Sequence, residues 1–279
     1  MEETLVAQET EVKKASPLKG WFGPIVIVLS IVFGWIIYLF IMGAPSNFEG
    51  GDPENGHPVA EGFARWLGLF YKGGQVVPFA IGLLLMVITA SIERMVSLGR
   101  ASGKGNLDMF VARVQTHLEN NNLQAALDEC DRAQGSVGNV TREVLLKYGQ
   151  VEKELHMDKE QKMVAIQKAL EESIALELPV LQRNMVIIST IVSVATLTAL
   201  LGTVLGMIRA FASLGASGAA DAAQLSVGIS EALVNTALGI FTSAVATVLY
   251  NYFTSKVDGL TYRMDEVGFS IVQTYSEKH

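Results

Sequence analysis

The stretch GISEALVNTALGIFTSAVATVLYNYF, Gly228 to Phe253, is long and apolar enough to cross a bilayer, yet it carries Glu231, Asn235, Thr236, Thr242, Ser243 and Thr247. A hydrocarbon core of about 30 Å needs about 20 helical residues, and a helix lets a single segment satisfy its own backbone hydrogen bonds in lipid. A carboxylate at the centre of such a span costs roughly 2.5 to 3.5 kcal/mol on insertion scales. The polar residues therefore need partners: a water-filled pathway, a packed helix interface or, near an end, the headgroups.

The rest of the chain puts this stretch in a membrane. Of 279 residues 50% are hydrophobic and only 18% charged, and the mean hydropathy is +0.34, which is apolar for a soluble domain of this size. A net charge of -7 excludes the strongly basic surface of a nucleic-acid binder. The single cysteine, Cys130, has no intrachain partner, and His57, His117, His156 and His279 lack ligand spacing, so no metal site and no cofactor are expected. GRASGKG, Gly99 to Gly105, lacks the spacing and the Ser/Thr of a phosphate-binding loop. The sequon Asn139-Val140-Thr141 matters only in a secretory compartment and reads as a loop or helix start. No nucleophile–base pair is visible, which argues against an enzyme.

Three further apolar runs, Trp21 to Met42, Gln75 to Ile92 and Met185 to Phe211, are each able to span. The first exceeds the 7 to 15 residues of a signal-peptide core and follows a tail with Glu2, Glu3, Glu9 and Glu11, so it reads as a retained anchor. Lys13, Lys14 and Lys19 precede it, Arg94, Arg100 and Lys104 follow the second span, and Lys256 and Arg263 follow the fourth. The 212–227 loop has no basic residue. The positive-inside rule then puts both termini and the long middle segment in the cytoplasm.

The expected fold is an all-α integral membrane protein, with four transmembrane helices and long helices extending into a cytoplasmic helical domain. Its parts are a cytoplasmic tail 1–20, an extra N-terminal span 21–43, an outer (periplasmic) loop 44–74 and a span 75–92. A cytoplasmic helical domain 93–183, a span 184–211, an outer loop 212–227, a span 228–253 and a cytoplasmic tail 254–279 follow. Within 93–183, Phe110, Val111, Val114 and Leu118, then Leu123, Ala126, Leu127 and Cys130, then Met163, Ile166, Leu170 and Ile174 recur at helical spacing. Gly135 to Gly138 interrupts the pattern once. The last of these helices is expected to run on into the membrane with a kink near Pro179.

On the third span Ser189, Ser193, Thr196 and Thr203 form one stripe, and Gly202 and Gly206 form a GxxxG that admits a second backbone. On the fourth, Glu231, Asn235 and Thr242 share one edge, Thr236, Ser243 and Thr247 another, with Gly239 between. Isolated hydroxyls are cheap in lipid because they return to their own helix carbonyls, so packing and pathway lining both remain open for Ser193, Thr196 and Ser243, as they do for the Asn235 amide. Glu231 reads either as a pathway carboxylate or as a helix-N-terminal one. Arg209 stands where it would pair with Glu231 or mark the interface.

Two motifs in order, ALLGTVLGMIRAF (Ala199 to Phe211) and ISEALVNTALGIFTSAVATVLYNYF (Ile229 to Phe253), closely resemble the MotA/TolQ/ExbB proton-channel family, ExbB most. GGQVVPFAIGLLLMVITASIERMVSL, Gly73 to Leu98, looks like that family's first common span ending in Glu-Arg. Thr196 and Ala199 stand where the family often has proline and glycine, Val245 where a proline often follows, and the first span is an addition to the three-span plan.

The resemblance implies a homo-oligomer, a pentamer, around a dimer of a single-span, ExbD-like partner whose membrane aspartate carries protons. It implies a TonB-like protein as the load, the bacterial inner membrane as the site, and Thr203, Glu231 and Thr236 at pore-facing positions. The alternatives are TolQ-like envelope maintenance or another motor, and a non-conducting scaffold in which the polar stripes are interhelical glue.

Overall fold

The computed structural model describes residues 18–54, 56–216 and 222–278; the expectations resting on Lys13, Lys14, most of the 1–20 tail and the middle of the 212–227 loop lie outside these. The chain is an all-α membrane protein, and four of its helices are long and apolar enough to cross a bilayer. Among the described residues the one β-type pairing is an isolated bridge between Phe48 and Pro58. The helices are α1 (Leu18–Ile36, continued by a π-helical turn Ile37–Met42), α2 (Gly62–Tyr71), α3 (Val77–Ala101), α4 (Leu107–Glu119), α5 (Leu123–Ala133), α6 (Gly135–Lys153), α7 (Lys159–Leu181), α8 (Met185–Ala216) and α9 (Ala222–Lys278). They form two compact units: the described residues up to Met86 with Leu200–Leu238, and Val87–Ala199 with Gly239–His279.

In the first unit, α1 and α3 approach backbone to backbone. A Cβ on Gly82 would stand 3.1 Å from the Ile31 Cα, and one on Gly34 would run into the Pro78 carbonyl. Small residues at a crossing are the usual means of close helix approach in lipid. Beyond this crossing, Trp35 sets its edge against Tyr38 and Phe79, and Tyr38 stacks on Tyr71 at 4.7 Å. The π turn would leave carbonyls unpaired at its end; buried Asn47 donates to those of Ile41 (2.7 Å) and Met42 (2.9 Å). Lys72 lies over the Phe48 ring, and burial holds its ammonium below the usual lysine range.

The second unit is a helical bundle in which α4, α5 and α7 each start on a side-chain cap. Asn106 accepts from the Asp108 and Met109 amides, Asn122 from that of Ala125, and Asp158 with Gln161 closes a capping box. The interruption expected at Gly135 to Gly138 falls one residue earlier. Gln134 (φ +55°) and Gly135 (φ +76°) make the bend, and Gly138 is already helical, against the Cys130 carbonyl.

Three boundaries differ from the sequence expectation. Helix α7 passes through Pro179 without ending, and the chain breaks instead at 182–184, where Asn184 takes φ +60°. Asparagine tolerates this left-handed conformation, and a residue of that hand stops a helix. The Arg94 guanidinium, 1% exposed, takes the Leu181 carbonyl and both carboxylate oxygens of Glu93, which also accepts from Asn184. The Glu-Arg pair that closes the apolar part of α3 therefore caps the end of α7.

The second and third differences concern the last span. Segments 212–216 and 222–227, expected in a loop, are helical, and the segment 254–278, expected as a tail, continues α9 to 57 residues. Phe253, Val257, Leu260, Met264, Val267, Ile271 and Tyr275 recur at steps of three and four and are all buried. Tyr275 meets Tyr148 edge to face, and Lys278 reaches the Leu118 carbonyl and Asn121.

Burial decides how topology can be tested. Cys130 is 3% exposed and its thiol is pushed up to about 12, mainly by burial, so the reactive thiolate is absent near pH 8. Phe63 in the 44–74 segment is 76% exposed and Leu155 between α6 and α7 is 93% exposed. Phe63→Cys should therefore react with an impermeant maleimide in intact spheroplasts, and Leu155→Cys only after permeabilisation. Cys130 should stay silent in both until the protein is unfolded. Labelling of Leu155→Cys from outside would overturn the orientation.

Candidate functional site

The polar residues of α8 and α9 sit around a seam of small residues. In the first unit, Gly202, Gly206 and Ala210 of α8 face Asn235, Ala232 and Gly228 of α9 in antiparallel order. A Cβ on Gly206 would stand 2.8 Å from the Ala232 nitrogen and 2.9 Å from the Gly228 carbonyl, and one on Gly202 would meet Asn235 Cγ at 2.7 Å. In the second unit, a Cβ on Gly239 would be 2.7 Å from the Ala195 carbonyl, and the Ser243 hydroxyl donates to the Val192 carbonyl at 2.8 Å. The rows Ala195, Ala199, Gly202, Gly206, Ala210 and Gly228, Ala232, Asn235, Gly239 each advance by three or four residues, one helix face apiece.

This contact sets the surroundings of Thr203, Thr236 and Asn235. Thr203 and Thr236, half-buried, meet hydroxyl to hydroxyl at 2.5 Å, and Thr236 Oγ1 is also 2.9 Å from the Ala232 carbonyl. Asn235 is 1% exposed; its amide donates to the Gly73 carbonyl (2.8 Å) and the Glu231 carbonyl (3.0 Å). Its Oδ1 has no partner among the described residues. Ser193 and Thr196 lie on the exposed side of α8, outside the seam, and the Thr196 hydroxyl returns to the Val192 carbonyl at 3.2 Å.

Glu231 is 5% exposed and forms an ion pair with Arg209, whose side chain is half-exposed. Its carboxylate rests against Gly74, in the turn between α2 and α3. Gly74 has φ +77°, and a methyl group there would fall on the Glu231 carboxylate and lie 3.2 Å from Arg209 Nη1. Glycine is therefore required twice, for its backbone hand and for the space. The structure brings Thr203 and Thr236 together and seats Glu231 against Gly74 and Arg209. Removing Arg209 would leave the buried Glu231 carboxylate uncompensated, so Arg209 is what lets an acid stay there. The Gly73–Gly74 turn is the part that sequence reasoning missed, because the contact joins residues 162 positions apart.

Comparison with known proteins gives a consistent likeness. The description of the MotA/TolQ/ExbB proton channel family matches residues 138–266, which include this seam. A putative biopolymer transport protein, ExbB-like 3, of Synechocystis is 47% identical over 90 residues, 31% of this chain and 42% of that protein. An ExbB homolog of Methanothermobacter thermautotrophicus is 25% identical over 222 residues, covering 77% of this chain and 75% of its own length. The Tol-Pal system protein TolQ of Pseudomonas aeruginosa is 24% identical over 186 residues, 65% of this chain and 80% of that protein. The chain thus spans less than half the length of its Synechocystis relative.

The seam makes its own prediction. Gly206→Val places branched carbons where the Ala232 backbone stands, and overpacking of a tight contact costs typically 1 to 3 kcal/mol. The detergent-solubilised variant should unfold at a clearly lower temperature, whereas Thr196→Val, on the exposed side, should leave the midpoint unchanged. Equal midpoints for Gly206→Val and the unaltered chain would contradict the seam.

Proposed function

Because the chain belongs to the MotA/TolQ/ExbB proton channel family, we propose that it is the inner-membrane stator subunit of a proton-driven motor. With an ExbD-like single-span dimer inside a ring of five copies, it couples the proton motive force to mechanical work on a TonB-like protein. The observation that carries this reading is the Thr203–Thr236 hydroxyl contact, which lies in the segment matched by the family and leaves both side chains half-buried. In a ring that pair lines the lumen, and a neighbouring chain or partner covers what remains open. Glu231 acts one layer behind, its charge held by Arg209, and sets the field that a proton meets. Within the third and fourth apolar runs Glu231 is the only acid, so the carboxylate that takes up and releases each proton comes from the partner.

TolQ-like envelope maintenance stands beside this as the second assignment of the load, because the TolQ alignment covers 80% of that relative. The partner that co-purifies with a tagged chain distinguishes the two.

The pathway reading is tested in vesicles holding the chain with its co-purified partner. Thr203→Val and Thr236→Val replace hydroxyls by near-isosteric methyls, and loss of one hydrogen bond of about 1 kcal/mol at the barrier slows flux roughly fivefold. Glu231→Gln should slow it further, since it also leaves Arg209 unpaired. If all three assemble normally and keep full proton flux, the hydroxyls are interhelical glue and the pathway lies elsewhere.

A further inference from the structure

The added N-terminal span has its own connection to Glu231. Tyr38 opens the second residue of the π turn, is 8% exposed, and packs in one cluster with Met42, Val77, Ile81 and Val234. Its ring stacks on Tyr71, and its hydroxyl donates to the Tyr71 carbonyl at 3.1 Å. That same carbonyl accepts from the Gly74 amide at 3.2 Å. One residue away, the Gly73 carbonyl accepts from Asn235, and Gly74 itself is the surface on which the Glu231 carboxylate rests. A turn whose Gly74 has φ +77° is held from two sides, by Tyr38 of α1 and by Asn235 of α9. π-helical turns inside α-helices often coincide with functional positions, and this one carries Tyr38.

We propose that α1 is a positioning span: Tyr38, through its hydroxyl on the Tyr71 carbonyl, holds the Gly73–Gly74 turn as the seat of Glu231. Tyr38 touches no transported ion and acts through the turn. Asn235 is the second tie on the same turn. The inference rests on the proton-path reading only for why Glu231 matters; the seating is a property of this chain alone.

The test uses the purified full chain and dicyclohexylcarbodiimide, which forms a stable N-acylurea on carboxyls it can reach in an apolar setting, read at Glu231 by peptide mass spectrometry. Tyr38→Phe keeps the ring stack and removes only the hydroxyl. It should raise Glu231 labelling about fivefold, the factor carried by one hydrogen bond of ordinary strength, with oligomer size unchanged and the melting temperature lowered by no more than a few degrees. Asn235→Ala should raise it comparably. The double variant should fall short of the product of the two, because both ties hold one turn. Tyr71→Phe, which keeps the carbonyl and the ring face, should label as the unaltered chain does, and Gly74→Ala should label most.

Unchanged labelling in Tyr38→Phe, or strictly multiplicative effects in the double variant, would overturn the proposal. So would a Tyr38→Phe chain that fails to assemble, since a hydroxyl that only positions a turn is not needed for folding. Proton flux separates this from the functional reading. Raised labelling in Tyr38→Phe with full flux in Glu231→Gln keeps the seat and removes the pathway; abolished flux with unmoved labelling does the reverse.

Discussion

Helices in lipid have no hydrophobic drive toward each other, because the surrounding tails are as apolar as leucine. Association must come from close packing and hydrogen bonds, and here the α8–α9 seam supplies both. Gly202, Gly206, Ala210, Gly228 and Ala232 bring two backbones into contact, and that separation is what allows two short threonine side chains to meet across it. The remaining polar groups follow from the same register. With α9 placed by its small residues, Glu231 and Asn235 share the edge that meets the Gly73–Gly74 turn, and Thr236 occupies the next.

A buried carboxylate in such a place must be compensated, and its compensation ties three segments together. Arg209 comes from α8, Glu231 from α9, and the glycine turn from the start of α3. The first span joins through Tyr38 and Tyr71 and becomes a fourth wall of the same site. The buried charge is then better understood as specifying one arrangement of these segments than as adding stability, since ion pairs out of water gain little net free energy.

Much of this was legible in the sequence, for identifiable reasons. Four spans follow from run length and composition alone, and Gly202, Gly206 and Gly239 are the small residues at which α8 and α9 approach. The pairing of Arg209 with Glu231 was one of two open readings, and both residues are visible at the ends of their spans. The long continuation of α9 was missed although its signal is present: Lys256 and Arg263 mark the cytoplasmic side, while Phe253 to Tyr275 keep an apolar stripe at helical steps. Pro179 misled in the opposite way. The chain turns instead at Asn184, next to the Leu181 carbonyl that Arg94 takes from another helix. The Asn235–Gly73 bond, like that one, joins segments far apart in sequence, and no local period announces it.

The central claim is that this chain supplies the polar walls of a pathway whose titrating carboxylate lies on another chain. Proton uptake into vesicles, measured on one preparation whose oligomeric mass is determined natively, tests it most directly. The chain alone should form a closed homo-oligomer that leaks no more protons than empty vesicles. Adding the single-span partner with its membrane aspartate should open conduction, and replacing that aspartate by asparagine should close it again. A monomer, or a robust proton leak through this chain alone, would contradict the account.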